Sequence, residues 1–174
     1  MSMQKEVKLT GSGGQGLITA GVILAEAASM DGKRVIQSQS YGPEARGGAS
    51  KAEVIISDHN IDFIKVQNCD ILLCLTQAAY DKYGKAPTKV LVIDERLTLK
   101  YPEPEKVVKI PILSSAAEKF GKPVVANIIA LGAVNGLLKL VSKESMSKAI
   151  LNRVPRGTEE LNKKALEMGY ELVS

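Results

Sequence analysis

A glycine-rich stretch near the start of the chain, Gly11–Gly16 (GSGGQG), is the segment whose composition best suits ligand binding. It follows an alternating apolar pattern typical of a strand, and it precedes apolar residues spaced as on one face of a helix. Glycines allow positive φ and close approach to the main chain, and N–H groups at a helix start attract anions. The pattern predicts that Gly13, Gly14 and Gly16 contact a phosphate or pyrophosphate. The alternative is a tight strand-to-helix turn without a ligand.

Three of these glycines, Gly11, Gly13 and Gly16, also match the G-x-G-x-x-G fingerprint of nicotinamide dinucleotide sites. That site needs an acidic residue about 20 positions later, at the end of the second strand, to hold the ribose hydroxyls. Here the predicted second strand runs into further Gln and Ser residues, and the next acidic residue is Glu44. The dinucleotide interpretation is therefore weakened, whereas phosphate contact stays open.

A long polar loop between the second and third predicted strands, residues 38–50, is the second candidate. Loops of this length inside a compact domain usually have a function. Arg46 offers planar, bidentate donors for a carboxylate or phosphate. Glu44 could orient Arg46 or bind a partner subunit, while Gly47 and Gly48 permit close approach of a ligand. The alternative is a structural Ω-loop with a surface Glu–Arg pair of little energetic value.

The composition predicts one domain over residues 1–174. With 45% hydrophobic residues and no Trp, the aliphatic side chains must fill the core. The net charge of +4 is modest, the lysines are dispersed and aromatic residues are scarce, so nucleic-acid binding is not expected. The polar start of the chain is unlike a signal peptide, which predicts a cytoplasmic protein.

The cysteine and histidine content predicts no catalytic residue and no metal site. Cys69 and Cys74 are spaced neither as a redox pair nor as zinc ligands, and two thiols alone cannot hold an iron–sulfur cluster. Both adjoin an apolar strand, so we expect buried free thiols. His59, the sole histidine, lies in a polar turn and is interpreted as a loop residue.

Strand and helix patterns alternate along the chain, which predicts a three-layer α/β/α domain with a mostly parallel, Rossmann-like sheet. Asp94 closes a buried strand, where parallel sheets often present functional groups, but a turn-stabilising carboxylate is the preferred interpretation. Strands are predicted around Val7 and at residues 33–37, 51–57, 70–76, 89–94 and 107–112. Helices are predicted from Leu17, as a short piece within 58–68, at 77–83, from a capping box at Ser115–Glu118, at 124–141, at 142–153, and from Thr158 to an end at Gly169.

The helix predicted at residues 124–141 is the most apolar of the chain, and Pro123 precedes it in a first-turn position. Its central part carries only Asn127 and Asn135 as polar side chains, and it is too short and too polar to span a bilayer. A helix that is apolar all round must be buried in the core or against another chain. Asn127 is interpreted as an ordinary buried, hydrogen-bonded asparagine, with contact to loop backbone as the alternative.

The two motifs together, GSGGQG after the first strand and SYGPEARGG after the second, closely resemble the gamma subunit of 2-oxoacid:ferredoxin oxidoreductases. This group is the pyruvate/ketoisovalerate oxidoreductase gamma family. The resemblance covers nearly the whole chain, including KPVVANIIALGAV (122–134) and NKKALEMGY (162–170). A single glycine loop is weak evidence, whereas both motifs in this order and at this spacing are specific.

The resemblance implies a subunit that leaves redox chemistry to its partners. Such enzymes oxidatively decarboxylate a 2-oxoacid with coenzyme A, giving acyl-CoA, carbon dioxide and reduced ferredoxin. Thiamine diphosphate and the iron–sulfur clusters sit mainly on partner subunits (alpha, beta and a ferredoxin-like delta), and this chain alone holds none. The isolated chain could form a homodimer. A short, separately encoded chain favours 2-oxoglutarate, although pyruvate, branched-chain and indolepyruvate relatives share the motifs.

In this family the gamma domain packs over the thiamine site and is implicated in admitting and holding coenzyme A. The loop that faces the cofactor region or the coenzyme A phosphates would comprise Gly11, Gly13, Gly14, Gln15 and Gly16. The loop that reaches the active-site entrance would comprise Tyr41, Gly42, Pro43, Glu44, Arg46, Gly47 and Gly48. Both loops are expected at one rim of the sheet.

Two other functions use the same residues differently. A stand-alone nucleotide- or phosphate-binding module would rely on the glycine loop alone, and tight nicotinamide binding would favour it. An assembly-only scaffold would keep its activity after substitutions at Gly13 or Arg46.

Overall fold

The computed structural model describes residues 3–40 and 49–174, which contain a six-stranded sheet. The strands are β1 (Gln4–Gly11), β2 (Arg34–Gln39), β3 (Ser50–Ser57), β4 (Ile71–Cys74), β5 (Val90–Asp94) and β6 (Lys106–Ile110). Their order across the sheet is β2-β3-β1-β4-β5-β6. β1 therefore lies in the interior of the sheet, and β2 forms one edge.

One strand of this sheet runs against the other five. β1, β4, β5 and β6 pair in parallel, whereas β3 is antiparallel to both β1 and β2. A parallel neighbour needs a crossover of a dozen or more residues, usually with a helix. The connection between β2 and β3, residues 40–49, is shorter than that. The expected mostly parallel sheet is confirmed, with β3 as the exception.

The reversed direction of β3 also explains the segment that follows it, residues 58–70. Ser57 pairs with Gln4, and β4 begins at the same end of β1, so the chain needs no crossover helix there. The short helix predicted within residues 58–68 is therefore wrong. Instead, the segment is held by two buried carboxylates. Glu6 Oε1 accepts the Gln67 N–H at 2.7 Å, and Glu53 Oε1 accepts the Val66 N–H at 3.2 Å.

Helices cover both faces of the sheet, as the predicted three-layer α/β/α fold requires. They are α1 (Leu17–Met30), α2 (Gln77–Tyr83), α3 (Ile112–Ser114), α4 (Ala126–Leu138), α5 (Lys143–Leu151) and α6 (Glu159–Val173). The main core joins one face of the sheet to α1, α4, α5 and α6. On the opposite face, Tyr80 of α2 packs with Leu72 and Leu91. Within residues 3–40 and 49–174, no helix has the length and apolar character needed to cross a membrane.

Several predicted helix starts are confirmed by their capping hydrogen bonds. Thr76 Oγ1 accepts the Ala79 N–H at 3.2 Å, and Ser142 Oγ accepts the Ser145 N–H at 3.1 Å. Pro123 opens a 3₁₀ turn, Pro123–Val125, which leads directly into α4.

The capping box predicted at Ser115–Glu118 is wrong, because the helix begins earlier. α3 starts at Ile112 and continues into a π-helical turn, Ser115–Lys119. The N–H of Leu113 is accepted by the buried carboxylate of Asp94 at 2.9 Å, so a side chain at the end of β5 takes the capping role. Asp94 also accepts N–H groups of Arg96 at 3.1 and 3.2 Å. These contacts show the turn-stabilising role preferred for Asp94.

The apolar helix α4 is buried as predicted, and it packs closely on α6. Residues Ala126–Asn135 are all buried. The prediction that Gly169 ends the last helix is wrong, since α6 continues to Val173. Gly169 instead faces Gly132 of α4. A Cβ atom at Gly169 would lie 2.8 Å from the Gly132 Cα and would also collide with the Ile129 carbonyl oxygen. The two glycines therefore allow contact between the two helix backbones.

Replacing Gly169 with Ala should destabilise the fold by about 1–3 kcal/mol, the usual cost of overpacking a rigid core, despite the higher helix propensity of Ala. Gly136→Ala in α4 is the matched control. Its Cβ would approach two side-chain atoms, Val173 Cγ2 at 2.7 Å and Tyr170 Cδ1 at 3.3 Å, but no backbone atom closer than 3.8 Å. Chemical denaturation should show a clearly larger loss for Gly169→Ala, and equal losses would contradict the backbone-contact argument.

Candidate functional site

The glycine loop, residues 11–16, joins the end of β1 to the start of α1, and its glycines have different roles. Gly14 and Gly16 have left-handed backbone angles, with φ of 86° and 74°. Gly11 is needed for space, since a Cβ there would lie 2.6 Å from Leu17 Cδ1. Gly13 has open space around it, with nothing within 4 Å of an added Cβ. The loop is thus exposed at Gly13 and Gly14, where a ligand could approach the main chain.

Gln15 closes the loop from within. Its side-chain Oε1 accepts the Ser12 N–H at 2.7 Å, and its own N–H donates to the Ser12 carbonyl at 3.3 Å. The side chain therefore fixes the loop shape. The geometry gives Gln15 a structural role, and its predicted contact with a ligand stays a prediction.

Asn127 connects the loop to the buried helix α4. Its Nδ2 donates to the Gly16 carbonyl at 3.1 Å, and the side chain is buried. A Cβ at Gly16 would lie 2.6 Å from that Nδ2, so only glycine leaves room for the contact. The two interpretations of Asn127 are both correct, because a buried, hydrogen-bonded asparagine is here the group that satisfies the loop backbone.

The start of α1 has the character of an anion site. Its N-cap is Gly16, which makes no side-chain capping bond, and its first turn contains no acidic residue among the described positions. The first N–H groups of a helix have no partner within the helix, and the helix dipole places positive potential there. The loop and the helix start can therefore hold a phosphate group through main-chain donors.

The second motif, residues 41–48, lies outside the described residues, so Tyr41, Glu44, Arg46 and their neighbours stay predictions. The residues on either side of it are described. Ser40 donates its N–H to the Lys51 carbonyl at 3.0 Å. Ser50 pairs with Gly11 in the β1–β3 ladder and donates its Oγ–H to the Ser12 carbonyl at 3.4 Å. Ser50 therefore lies beside the glycine loop, whereas Ser40 lies one strand farther away, across β3.

The contact of Ser50 with the loop was not predicted. The sequence assigned Ser50 to the end of a polar loop and gave no register for the following strand. The one available signal was the short distance along the chain between the second and third strands, which favours antiparallel pairing.

The remaining candidate groups have structural environments. Burial raises the pKa of the Cys74 thiol to about 12 and also raises the pKa of Cys69, so both are neutral thiols at ordinary pH. His59 Nδ1 lies 2.9 Å from Asp58 Oδ1 and 3.0 Å from Ser57 Oγ, in the turn after β3. Among the residues that the structure describes, no group of three or more His, Cys, Asp or Glu side chains could hold a metal ion.

Comparison with known proteins gives consistent matches over the whole chain. The pyruvate ferredoxin/flavodoxin oxidoreductase family model matches residues 6–172. The 2-oxoglutarate synthase subunit KorC of Methanocaldococcus jannaschii is 55% identical over 178 residues, which cover 99% of this chain and 95% of that protein.

Solved structures agree with this result. The gamma subunit of a keto/oxoacid ferredoxin oxidoreductase from Geobacter sulfurreducens has a TM-score of 0.84 and 50% identity, covering 97% of this chain and 98% of that one. A 2-oxoglutarate:ferredoxin oxidoreductase from Magnetococcus marinus, with 2-oxoglutarate, coenzyme A and succinyl-CoA bound, also has a TM-score of 0.84. That likeness, at 22% identity over 98% of this chain and 31% of the other, shows a shared fold.

Asn127→Ala should loosen the start of α1 because the Gly16 carbonyl loses its donor from α4. We expect faster amide hydrogen exchange at residues 12–19 and a loss of about 1–2 kcal/mol in unfolding free energy. Asn135→Ala is the control, since Asn135 is buried in the same helix but donates to the Val141 carbonyl and the Tyr170 hydroxyl. That variant should lose stability without selective exchange at the loop. Equal exchange in both variants would contradict the link.

Proposed function

This chain belongs to the pyruvate ferredoxin/flavodoxin oxidoreductase family, and we propose that it is the gamma subunit of a 2-oxoglutarate:ferredoxin oxidoreductase. The observation that carries the proposal is the 55% identity, over nearly the full length of both chains, to a 2-oxoglutarate synthase subunit. The 50% identity to a solved gamma subunit supports the class of subunit. 2-Oxoglutarate is preferred over the other 2-oxoacids on the same ground.

The proposed reaction consumes 2-oxoglutarate and coenzyme A. The bond between the keto carbon and the carboxylate breaks and releases carbon dioxide. The coenzyme A sulfur bonds to the remaining acyl carbon to give succinyl-CoA, the thiol proton is released, and the electron pair passes to ferredoxin. Thiamine diphosphate and the iron–sulfur clusters, which supply the decarboxylation and electron-transfer chemistry, belong in this proposal to alpha, beta and ferredoxin-like delta subunits.

The groups described in this chain fit that division of labour. Cys69 and Cys74 are buried free thiols, and burial raises their pKa values, which opposes the thiolate form that cluster ligation requires. They are thus poor cluster ligands. Free thiols also suit a reducing compartment, so we place the complex in the cytoplasm.

We assign to this chain the binding of coenzyme A and the closing of the thiamine site. The support is the glycine loop, with its open main chain at Gly13 and Gly14 and the uncapped start of α1 behind it. A diphosphate is the part of coenzyme A that such a loop would hold. The 41–48 segment is followed by Ser50, which contacts the loop, and the segment would bring Arg46 to the same ligand and line the entrance.

The subunit assignment predicts that activity depends on this chain. Purified alpha, beta and delta partners should reduce ferredoxin in the presence of 2-oxoglutarate and coenzyme A only after this chain is added. Pyruvate in place of 2-oxoglutarate should give a much lower rate. Full turnover without this chain would refute the subunit role, and a preference for pyruvate would refute the substrate.

Gly13→Asp tests the phosphate contact, because Gly13 has an ordinary φ and open space, so a side chain there leaves the fold unchanged. A carboxylate next to bound diphosphate should raise the KM for coenzyme A about tenfold, as expected for a repulsion of about 1.4 kcal/mol. The KM for 2-oxoglutarate should stay the same. Gly13→Asn has the same shape without the charge and should have a much smaller effect. An unchanged KM in Gly13→Asp would place the phosphates elsewhere.

A further inference from the structure

A groove on the helical face of the molecule continues directly from the glycine loop. It encloses about 260 Å³ between α1 and the first turns of α4 and α6. Gly16 forms one end, and the groove follows α1 past Thr19 to Ile23, a distance of about 10 Å at 1.5 Å per residue. A ligand whose anionic group sits at the loop would therefore meet the groove next.

The walls of the groove are mainly apolar. Ile23, Ile128 and Leu161 contribute from three different helices. At the mouth, Val124 is 67% exposed, an unusual state for a large aliphatic side chain beside a core helix. An apolar slot with an exposed apolar lip suits a flat, uncharged ring that would cover both.

Among the described residues, Arg153 is the single cationic side chain that lines the groove, and Glu26 orients it. Arg153 Nε donates to Glu26 Oε2 at 3.1 Å, and Asn152 Nδ2 donates to the other oxygen of that carboxylate at 3.0 Å. The hydrogen bond from Asn152 is the main cause that lowers the pKa of Glu26, which keeps the carboxylate charged. The contact with Glu26 uses the Nε–H of Arg153. The two Nη groups of the guanidinium can then donate two parallel hydrogen bonds to an anion.

Coenzyme A has chemistry that matches this sequence of surfaces. Its diphosphate joins an adenosine that carries a 3′-phosphate to a long pantetheine arm that ends in the thiol. On the premise of the proposed function, we infer that the adenosine lies in the groove, with the diphosphate at the glycine loop and the 3′-phosphate at Arg153. The thiol arm then leaves the loop on the side away from the groove. Arg153 is a specificity-determining residue that separates coenzyme A from dephospho-coenzyme A.

The test measures KM values in the complete complex for coenzyme A, dephospho-coenzyme A and pantetheine. The wild-type complex should have a KM for dephospho-coenzyme A at least about tenfold above that for coenzyme A, since dephospho-coenzyme A lacks the phosphate that makes the charge-assisted hydrogen bond with Arg153. Arg153→Gln is combined with Glu26→Gln, so that no unpaired carboxylate repels the ligand. In this double variant only the KM for coenzyme A should rise, which brings the ratio close to one.

Arg156→Gln is the matched control, because Arg156 is an exposed arginine on the same connection and does not line the groove. It should leave the ratio at the wild-type value. Thr19→Tyr fills the groove from an exposed position on α1. It should raise the KM for both nucleotide forms and leave the KM for pantetheine unchanged.

Two results would overturn the inference. A wild-type ratio preserved in the double variant would remove the 3′-phosphate from Arg153, and a raised KM for pantetheine in Thr19→Tyr would place the thiol arm in the groove. Either result, together with a raised KM for coenzyme A in Gly13→Asp, leaves the proposed function in place. If Gly13→Asp and all groove variants leave that KM unchanged, coenzyme A does not contact this chain and the proposed coenzyme A role fails as well.

Discussion

The antiparallel pairing of β1 with β3 is the constraint that places the start of β3 beside the glycine loop. Its register places Ser50 opposite Gly11 at one end and Ser57 opposite Gln4 at the other. The first pair brings the start of the glycine loop next to Ser50, the first residue of β3. A slip of one residue would turn each side chain of β3 to the other face of the sheet. Glu53 would then face the main apolar core, so the buried charge strongly disfavours the wrong register.

The glycine loop is supported by helices α4 and α6. α4 and α6 are held in contact at Gly132 and Gly169, which leaves α4 little freedom to move. Asn127, near the start of α4, fixes the loop to this helix through its hydrogen bond to the Gly16 carbonyl. A polar side chain in such an apolar helix would cost stability without a partner. The partner of Asn127 is Gly16, the N-cap of α1, whose backbone is left-handed. A loop supported in this way keeps its main-chain donors in place before a ligand binds.

The sequence predicted the parts of the fold that depend on local patterns. The glycine loop, α1, the buried β4 strand and the caps at Thr76 and Ser142 all follow from residue types and short-range spacing. The failures depend on distant partners. α3 begins at Ile112 because Asp94 supplies its cap.

Packing between helices that are distant in the chain explains two further differences from the sequence predictions. Gly169 was interpreted as a helix end, yet α6 continues to Val173 and the close approach of α4 is what requires a glycine there, which a local glycine signal cannot distinguish. The groove beside α1 was not predicted either, since its walls come from three helices that are far apart in the chain.

The topology explains why the glycine loop lacks the acidic partner of a nicotinamide site. In a dinucleotide-binding fold the second strand lies beside the first, so an acid at its end reaches the ribose of a ligand held by the glycine loop. Here β3 separates β1 from β2. With about 4.8 Å between neighbouring strands, the end of β2 lies about 10 Å from β1 in the plane of the sheet. An acid at that position would be too distant, and the neighbour of Gly11 is Ser50, a hydroxyl that does not repel a phosphate. The missing acid and the inserted strand are therefore two aspects of one arrangement, in which the loop keeps its phosphate chemistry and loses the geometry for a nicotinamide ribose.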